Sequence, residues 1–283
     1  MTDLTLRPLT LGEILDRSFS LYRRNFALFV GIAGIPQVIT LIFNVFNTAN
    51  RMVVGLSATQ LGSTPTSGMG VVMALVYLVL VTTAYLFSQG GTILAVSDLY
   101  LGRPTSISES LKKVWDEFGF LFGVVWLNGI AILVAMLFLI LPGIYLACRL
   151  FVCVPVALIE KQSPIESLRR SFQLTKDFAG RAFMILALYL VLAFALGVLI
   201  GLPFGIGVAA SAGNPEMMRV WLIMSQVSGA VANILITPIL LIATSIFYYD
   251  LRVSKEAFDL QFMMNPESVH KSPGGSGIPS ILS

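Results

Sequence analysis

The chain has 283 residues, of which 56% are hydrophobic and only 12% are charged, and its mean hydropathy is +0.86. A soluble domain carries about 25% charged residues, so this composition excludes an ordinary soluble protein and predicts a chain largely embedded in lipid. The net charge of +3 is too small to indicate a nucleic-acid-binding protein. We therefore expect membrane lipids as partners, and no nucleic acid.

The N-terminal part of the chain predicts a surface helix followed by a first membrane span. Roughly 25 polar and amphipathic residues precede the first apolar run, which does not fit a cleavable signal peptide. Residues 10–25 are typical of an amphipathic helix, with one apolar stripe formed by Leu11, Ile14, Leu15, Phe19 and Tyr22. Residues 26–47 are long and apolar enough to cross hydrocarbon, and Pro36 predicts a kink within them.

The rest of the chain repeats this order of elements. Residues 48–70 are small and polar and predict a loop, and Pro142-Gly143 predicts a sharp turn between two spans. We expect further spans at 71–97, 118–141, 143–159, 182–210 and 219–248, and further amphipathic helices at 106–117 and 163–177. Residues 262–283 are rich in Pro, Gly and Ser and predict a disordered tail after a membrane domain at 1–261.

The three amphipathic helices share one pattern, which predicts three related units. Counted from the caps Thr10, Ser106 and Ser163, position +3 is always Glu, position +7 a cation and position +9 an aromatic residue. These residues are Glu13, Glu109 and Glu166; Arg17, Lys113 and Arg170; and Phe19, Trp115 and Phe172. A Ser or Thr followed by Glu at +3 predicts a capping box at each start. The predicted fold is an all-α polytopic membrane protein with six transmembrane helices in three hairpins, each preceded by a cytoplasmic amphipathic interfacial helix.

The distribution of basic residues predicts the orientation in the membrane. Fifteen of the eighteen Lys and Arg residues fall on the side of the amphipathic helices, two fall on the opposite side, and Arg149 falls inside a span. Basic residues concentrate on the cytoplasmic side of inner-membrane proteins. We therefore expect a multi-pass protein of a prokaryotic inner membrane with both termini in the cytoplasm.

The inventory of side chains argues against an enzyme. The only histidine is His270, and no GxSxG, HExxH or P-loop motif occurs. Cys148 and Cys153 lie inside an apolar run without a CxxC pattern, which indicates small core residues. We expect no catalytic residue, cofactor or metal site.

Two groups of polar residues are candidate sites. Arg149 lies inside a span, where ionisable residues are often functional. It either snorkels outward to the interface, or pairs with intramembrane polar residues such as Gln89, Gln226 and Asn233, or lines a substrate path. Asp98, Glu160 and Asp250 end the even-numbered spans at helix C-termini, where the dipole disfavours acids. Their expected partners, unless these charges are separately solvated, are the helix cations Arg17, Lys112, Lys113, Arg169 and Arg170. The same cations could bind anionic headgroups or merely anchor the helices.

Several segments together resemble the membrane domain of glycerophosphoryl diester phosphodiesterases. They are LRPLTLGEILDR at 6–17, LYRR at 21–24, PGIY at 142–145, ESLRRSF at 166–172 and YYDLR at 248–252. In those enzymes hydrolysis belongs to a separate soluble domain with a metal bound by His and acidic residues. The resemblance therefore implies a stand-alone membrane domain and no activity.

These patterns favour a non-enzymatic integral inner-membrane protein that interacts with lipids or serves as an accessory to a protein partner or a second copy. The alternative is a small transporter for an amphipathic or lipid-like solute, which Arg149 and the proline-bearing spans suggest. A third hypothesis, a phosphodiesterase, lacks the residues for its metal site.

Overall fold

The computed structural model describes residues 9–53 and 68–264, and its regular structure there is entirely helical. The helices are α1 (Leu11–Arg24), α2 (Phe26–Val53), α3 (Gly68–Tyr100), α4 (Ile107–Asp116), α5 (Phe118–Phe138), α6 (Ile140–Arg149), α7 (Cys153–Glu160), α8 (Pro164–Leu174), α9 (Ala179–Ala210) and α10 (Pro215–Met264). Six segments of the described residues are long and apolar enough to cross a membrane, with α6 and α7 together forming the fourth. The prediction of an all-α polytopic membrane protein is confirmed.

The long helices form three antiparallel pairs, and one member of the last pair, α10, lies at the centre of the bundle. The pairs are α2 with α3, α5 with α6, and α9 with α10. Helix α10 also contacts α1, α2, α3 and α7, and it contributes Ile242, Phe247 and Tyr248 to the main core. Helices α5 and α9 bury little of their apolar surface, as expected for helices that face lipid. The last span in the sequence is therefore the centre of the bundle.

The helices α1, α4 and α8, which we call the capped helices, begin where the sequence predicts. Glu13 N–H donates to Thr10 Oγ1 at 3.3 Å, and the Glu13 carboxylate accepts from Thr10 N–H at 2.7 Å. Ser163 and Glu166 of α8 form the same reciprocal pair. The prediction of a full capping box is wrong for α4, because Ser106 accepts from Glu109 N–H but the Glu109 carboxylate lies 3.5 Å from Lys113 Nζ instead.

The capped helices bury the same two positions in all three units. Positions +4 and +8 are fully buried, and the residues there are Ile14, Ser110 and Ser167, followed by Ser18, Val114 and Ser171. The aromatic residue at +9 is exposed in each case, to 42% in Phe19, 69% in Trp115 and 38% in Phe172. Of the apolar stripe predicted for α1, Ile14 and Tyr22 are therefore buried and Phe19 is exposed. The serines at +4 and +8 allow close packing, which a search for apolar stripes does not detect.

The fourth span differs from its prediction as one helix over 143–159. Leu150–Val152 separate α6 from α7, because Pro155 has no N–H for Phe151 O and its ring would clash with that carbonyl in a continuous helix. The turn before this span is also displaced from Pro142-Gly143. It lies at Leu139, whose backbone is extended, and Pro142 instead occupies the first turn of α6, where no N–H is needed.

Other boundaries shift by a few residues. The predicted loop at 48–70 is helical at 48–53 and 68–70, and residues 54–67 lie outside the described range. Helix α8 ends at Leu174 rather than 177, and α9 begins at Ala179. Helix α10 continues to Met264 because no Gly or Pro follows Pro238 within it. Most of the predicted tail, with His270, lies outside the described range.

Candidate functional site

Two of the capped helices bind the acid that ends the span before them. Lys113 Nζ donates to Asp98 Oδ2 at 2.7 Å, and Arg170 Nε donates to Glu160 Oε2 at 3.2 Å. Both cations occupy position +7 of their helices. Tyr248 O–H also donates to Glu160 Oε1 at 2.9 Å, which ties this pair to the central helix. The structure thus joins four of the residues that the sequence singled out as an interfacial charge cluster into two ion pairs, Lys113 with Asp98 and Arg170 with Glu160.

The third span-ending acid, Asp250, is bound by the backbone just before α1 instead of by a cation at position +7. Leu9 N–H, just before the cap, donates to Asp250 Oδ1 at 2.7 Å in a buried position. Arg181 Nη1 lies 3.7 Å from Asp250 Oδ2 and donates to Leu9 O at 3.3 Å. Arg17 donates to the Tyr100 hydroxyl at 3.5 Å. Sequence reasoning missed Leu9 because its donor is a backbone N–H, which no residue type marks, and it missed Arg181 because it sought cations only on the three amphipathic helices.

Hydrogen bonding stabilises the charged forms of two groups on the capped helices. The hydrogen bond to Asp98 raises the pKa of Lys113 above its ordinary value. Hydrogen bonds from the hydroxyl and backbone of Ser163 lower the pKa of Glu166. Lys113 and Glu166 are therefore both charged at neutral pH and are already engaged within the protein.

The cations at position +6 behave differently from those at +7. Lys112 and Arg169 are exposed, and within the described part of the chain neither forms an ion pair or a hydrogen bond. Their neighbours Lys113 and Arg170 are held by acids. The structure thus divides the predicted cluster into internal pairs and cations that are available for an external partner.

Arg149 is 6% exposed and is held by the C-terminal end of α8. Its Nη2 donates to Phe172 O at 2.7 Å, and its Nη1 donates to Lys176 O and to the Tyr145 hydroxyl, each at 3.2 Å. The guanidinium also lies over the Phe172 ring, 3.9 Å from its centroid. A helix C-terminus presents carbonyl groups with partial negative charge, and these contacts provide a structural reason for a cation inside a span.

The backbone of Arg149 is fixed by the same helix. The hydroxyls of Ser171 and Thr175 donate to Arg149 O at 3.0 and 2.8 Å. The break between α6 and α7 removes helical partners from carbonyls in this region, and the α8 hydroxyls replace one of them. Arg149 and α8 therefore exchange hydrogen bonds in both directions.

A groove of about 540 Å³ lies beside this contact, between α5, α6 and α8. Its walls are largely apolar and include Ala131, Leu146 and Leu168. Three cations also line it, namely Arg149, Arg169 and Lys176, and none of its lining residues is acidic. Such a combination of apolar walls and positive charge suits an amphipathic anion.

The other predicted intramembrane polar residues are not among the contacts of Arg149. Gln226 Nε2 donates to Thr48 Oγ1 at 2.8 Å, and Asn233 Nδ2 donates to Gly229 O of its own helix. Gln89 lines a separate cavity of about 320 Å³ together with Asn128 and Thr244. Arg149, Gln89, Gln226 and Asn233 thus occupy several places rather than one site.

The described residues offer no group of three or more His, Cys, Asp or Glu side chains that could hold a metal ion. Cys148 and Cys153 are free and buried. Comparison of the chain with protein-family models, with curated proteins and with solved structures finds no match.

Proposed function

We propose that the chain is a non-enzymatic integral membrane protein whose capped helices engage anionic lipid headgroups from the membrane interface. The observation that carries this proposal is the division of the cations. Lys113 and Arg170 form ion pairs within the protein, whereas Lys112 and Arg169 form no ion pair or hydrogen bond with the described residues. A cation at a membrane surface gains about 1 kcal/mol from anionic lipid, so unpaired cations at equivalent positions favour this partner.

The exposed aromatic residues at position +9 support an interfacial location. Trp and Tyr are enriched at membrane–water interfaces, and amphipathic interfacial helices insert Trp, Phe and Leu into the headgroup region. Phe19, Trp115 and Phe172 stand at the same position of the three capped helices and are all exposed. In α4 and α8 these aromatic side chains accompany the free cations Lys112 and Arg169, whereas α1 has Asp16 at position +6. An exposed aromatic residue with a free cation matches the apolar and the charged layer of an interface.

The lipid proposal is tested by removing the free cations only. The K112Q/R169Q variant should bind phosphatidylglycerol about 25-fold more weakly than wild type, at roughly fivefold per cation. Binding is measured by native mass spectrometry of the purified protein. Phosphatidylcholine with acyl chains of the same length serves as the reference lipid without net charge. Arg219→Gln removes a cation from the opposite end of the bundle and serves as the control. Unchanged preference for phosphatidylglycerol in K112Q/R169Q would reject the proposal.

The orientation that we propose places the capped helices and both termini in the cytoplasm of a prokaryotic cell. The asymmetry of fifteen basic residues against two supports it. Cysteine introduced at Ala212 should react with an impermeant reagent from outside, and cysteine at Arg103 only after permeabilisation. The reverse labelling would contradict this orientation.

We also propose kinship with the membrane domain of glycerophosphoryl diester phosphodiesterases. The motifs at 6–17, 142–145 and 166–172 support it. An experimental structure of that domain with a different order of capped helices and spans would contradict the kinship.

A small transporter is the second candidate function, and the cavity beside the broken fourth span favours it. Asn128 lines this cavity, and its Oδ1 is buried without a hydrogen-bond partner among the described residues. Broken helices next to polar cavities form the substrate sites of many transporters. The test measures movement of a fluorescent lysolipid across the membrane of proteoliposomes. Wild type should catalyse this movement and Asn128→Trp should not. Absence of movement with wild type would count against a transporter.

A further inference from the structure

The groove between α5, α6 and α8 combines features that a bare basic surface lacks. It is bounded by two membrane helices and by a capped helix, so it joins the hydrocarbon region to the proposed interface. Its volume of about 540 Å³ falls within the roughly 300–1,000 Å³ range of ligand pockets. An occupant of matching chemistry would have an anionic end and an apolar end.

Nearby acids form no ion pair with the exposed cations of the groove among the described residues. Glu166, one turn before Arg169 on α8, attracts that guanidinium, but its carboxylate accepts from Ser163 N–H at 3.1 Å and from Ser163 O–H at 2.7 Å. Glu160 is bound by Arg170. Neither Arg169 nor Lys176 has an ion-pair partner among the described residues. Two solvent-accessible cations therefore flank the groove with their charges available.

Arg149 supplies a buried positive charge to the same groove. Its two Nη atoms donate to carbonyl groups and to Tyr145, which fix the guanidinium in place without cancelling its full charge. Its Nε is buried and has no hydrogen-bond partner among the described residues. A buried donor without a partner is costly, and the negative charge of a phosphate in the groove would stabilise this guanidinium.

We propose that this groove binds one anionic glycerophospholipid, with its phosphate held by Arg149, Arg169 and Lys176 and its acyl chains along Leu146 and Ala131. The assignment rests on the proposed function and narrows it from a charged surface to a single site. The apolar walls select a lipid rather than a free phosphate, because burial of acyl chains adds affinity that a soluble anion cannot gain.

The test compares two variants that each remove two exposed cations. R169Q/K176Q removes both exposed cations of the groove, and R103Q/K112Q removes two from outside it; Arg149 is kept in both. Native mass spectrometry with increasing phosphatidylglycerol should show loss of one tight lipid in R169Q/K176Q, with affinity lowered about 25-fold. R103Q/K112Q should retain the tight lipid and lose only weaker ones.

The other outcomes separate this site from the broader proposal. Equal losses in both variants would overturn the groove while leaving general headgroup binding intact. No loss in either variant would overturn both. Competition by soluble glycerol phosphate as effectively as by lipid would show that the acyl chains contribute nothing and would reject a lipid as the occupant. Unchanged thermal stability of R169Q/K176Q checks that the protein stays folded.

Discussion

Replacement of Arg149 by alanine is expected to destabilise the folded protein by about 2–5 kcal/mol. The variant leaves Phe172 O and Lys176 O without their donor, and an unsatisfied buried polar group costs about 1–3 kcal/mol. It also removes the guanidinium from the Phe172 ring. The measurement is the free energy of unfolding in mixed micelles titrated with a denaturing detergent.

Two further variants separate position from charge at this site. Arg169→Ala changes an exposed neighbour and should alter stability by less than about 0.5 kcal/mol. Arg149→Lys keeps the charge, but a single ammonium cannot match the planar donors that reach both carbonyls, so its stability should fall between wild type and Arg149→Ala. Equal stability of Arg149→Ala and wild type would contradict the role given to these hydrogen bonds.

Replacement of Asp250 by alanine is also expected to have a large effect and to lower the free energy of unfolding by about 2–4 kcal/mol. Leu9 N–H would lose its acceptor in a buried position, and Arg181 would lose its acidic partner. The local effect is measurable by hydrogen–deuterium exchange, because the amide of Leu9 should be protected in wild type and exchange rapidly in the variant. Global stability is measured in the same micelles as for Arg149.

The controls for Asp250 distinguish its hydrogen bond from its charge. Asp250→Asn keeps an oxygen for Leu9 N–H and should preserve the protection of that amide while losing the attraction to Arg181. Asp177→Ala removes an exposed acid that lies 3.4 Å from Lys255 and should cost less than about 1 kcal/mol. Slow exchange at Leu9 in Asp250→Ala would show that the hydrogen bond does not hold this end of α1.

The starts of the capped helices were predictable because they depend on residues close in sequence. A Ser or Thr followed three residues later by Glu has one favourable local geometry, and α1 and α8 adopt it fully. In α4 the Glu109 carboxylate instead lies 3.5 Å from Lys113 Nζ, although Arg17 and Arg170 stand at the same position in the other two helices. Local patterns therefore give the helix starts but not the outcome of competition between neighbours.

Pairing of the span-ending acids was predictable only over short separations. Asp98 and Lys113 are 15 residues apart, and Glu160 and Arg170 are 10 apart, so the chain turns back directly between them. Asp250 binds a backbone N–H 241 residues away. No residue type marks such a donor. The expected cation of a capped helix, Arg17, attracts Asp250, but the hydrogen bond to the carboxylate comes from the Leu9 backbone.

The environment of Arg149 was also not predictable from the sequence. Its partners on α8 are two backbone carbonyls, a type of group that almost every position offers equally. Hydropathy shows a continuous apolar run across the break between α6 and α7, and Pro155 alone indicates where the helix cannot continue. The groove depends on both features, so sequence reasoning found two of its three cations, Arg149 and Arg169, but neither Lys176 nor the site.

The hydrogen bond between Leu9 and Asp250 also sets an order for biogenesis. Its partners are separated by 241 residues, and the helix that carries Asp250 is both the last span made and the centre of the bundle. At about 5–20 residues per second, the ribosome needs roughly 10 to 50 seconds to produce the second partner after the first. During that interval the earlier hairpins lie in the bilayer without their central helix. Insertion of the final hairpin is therefore the step that completes the tertiary structure, and a truncated chain would leave the first helix undocked.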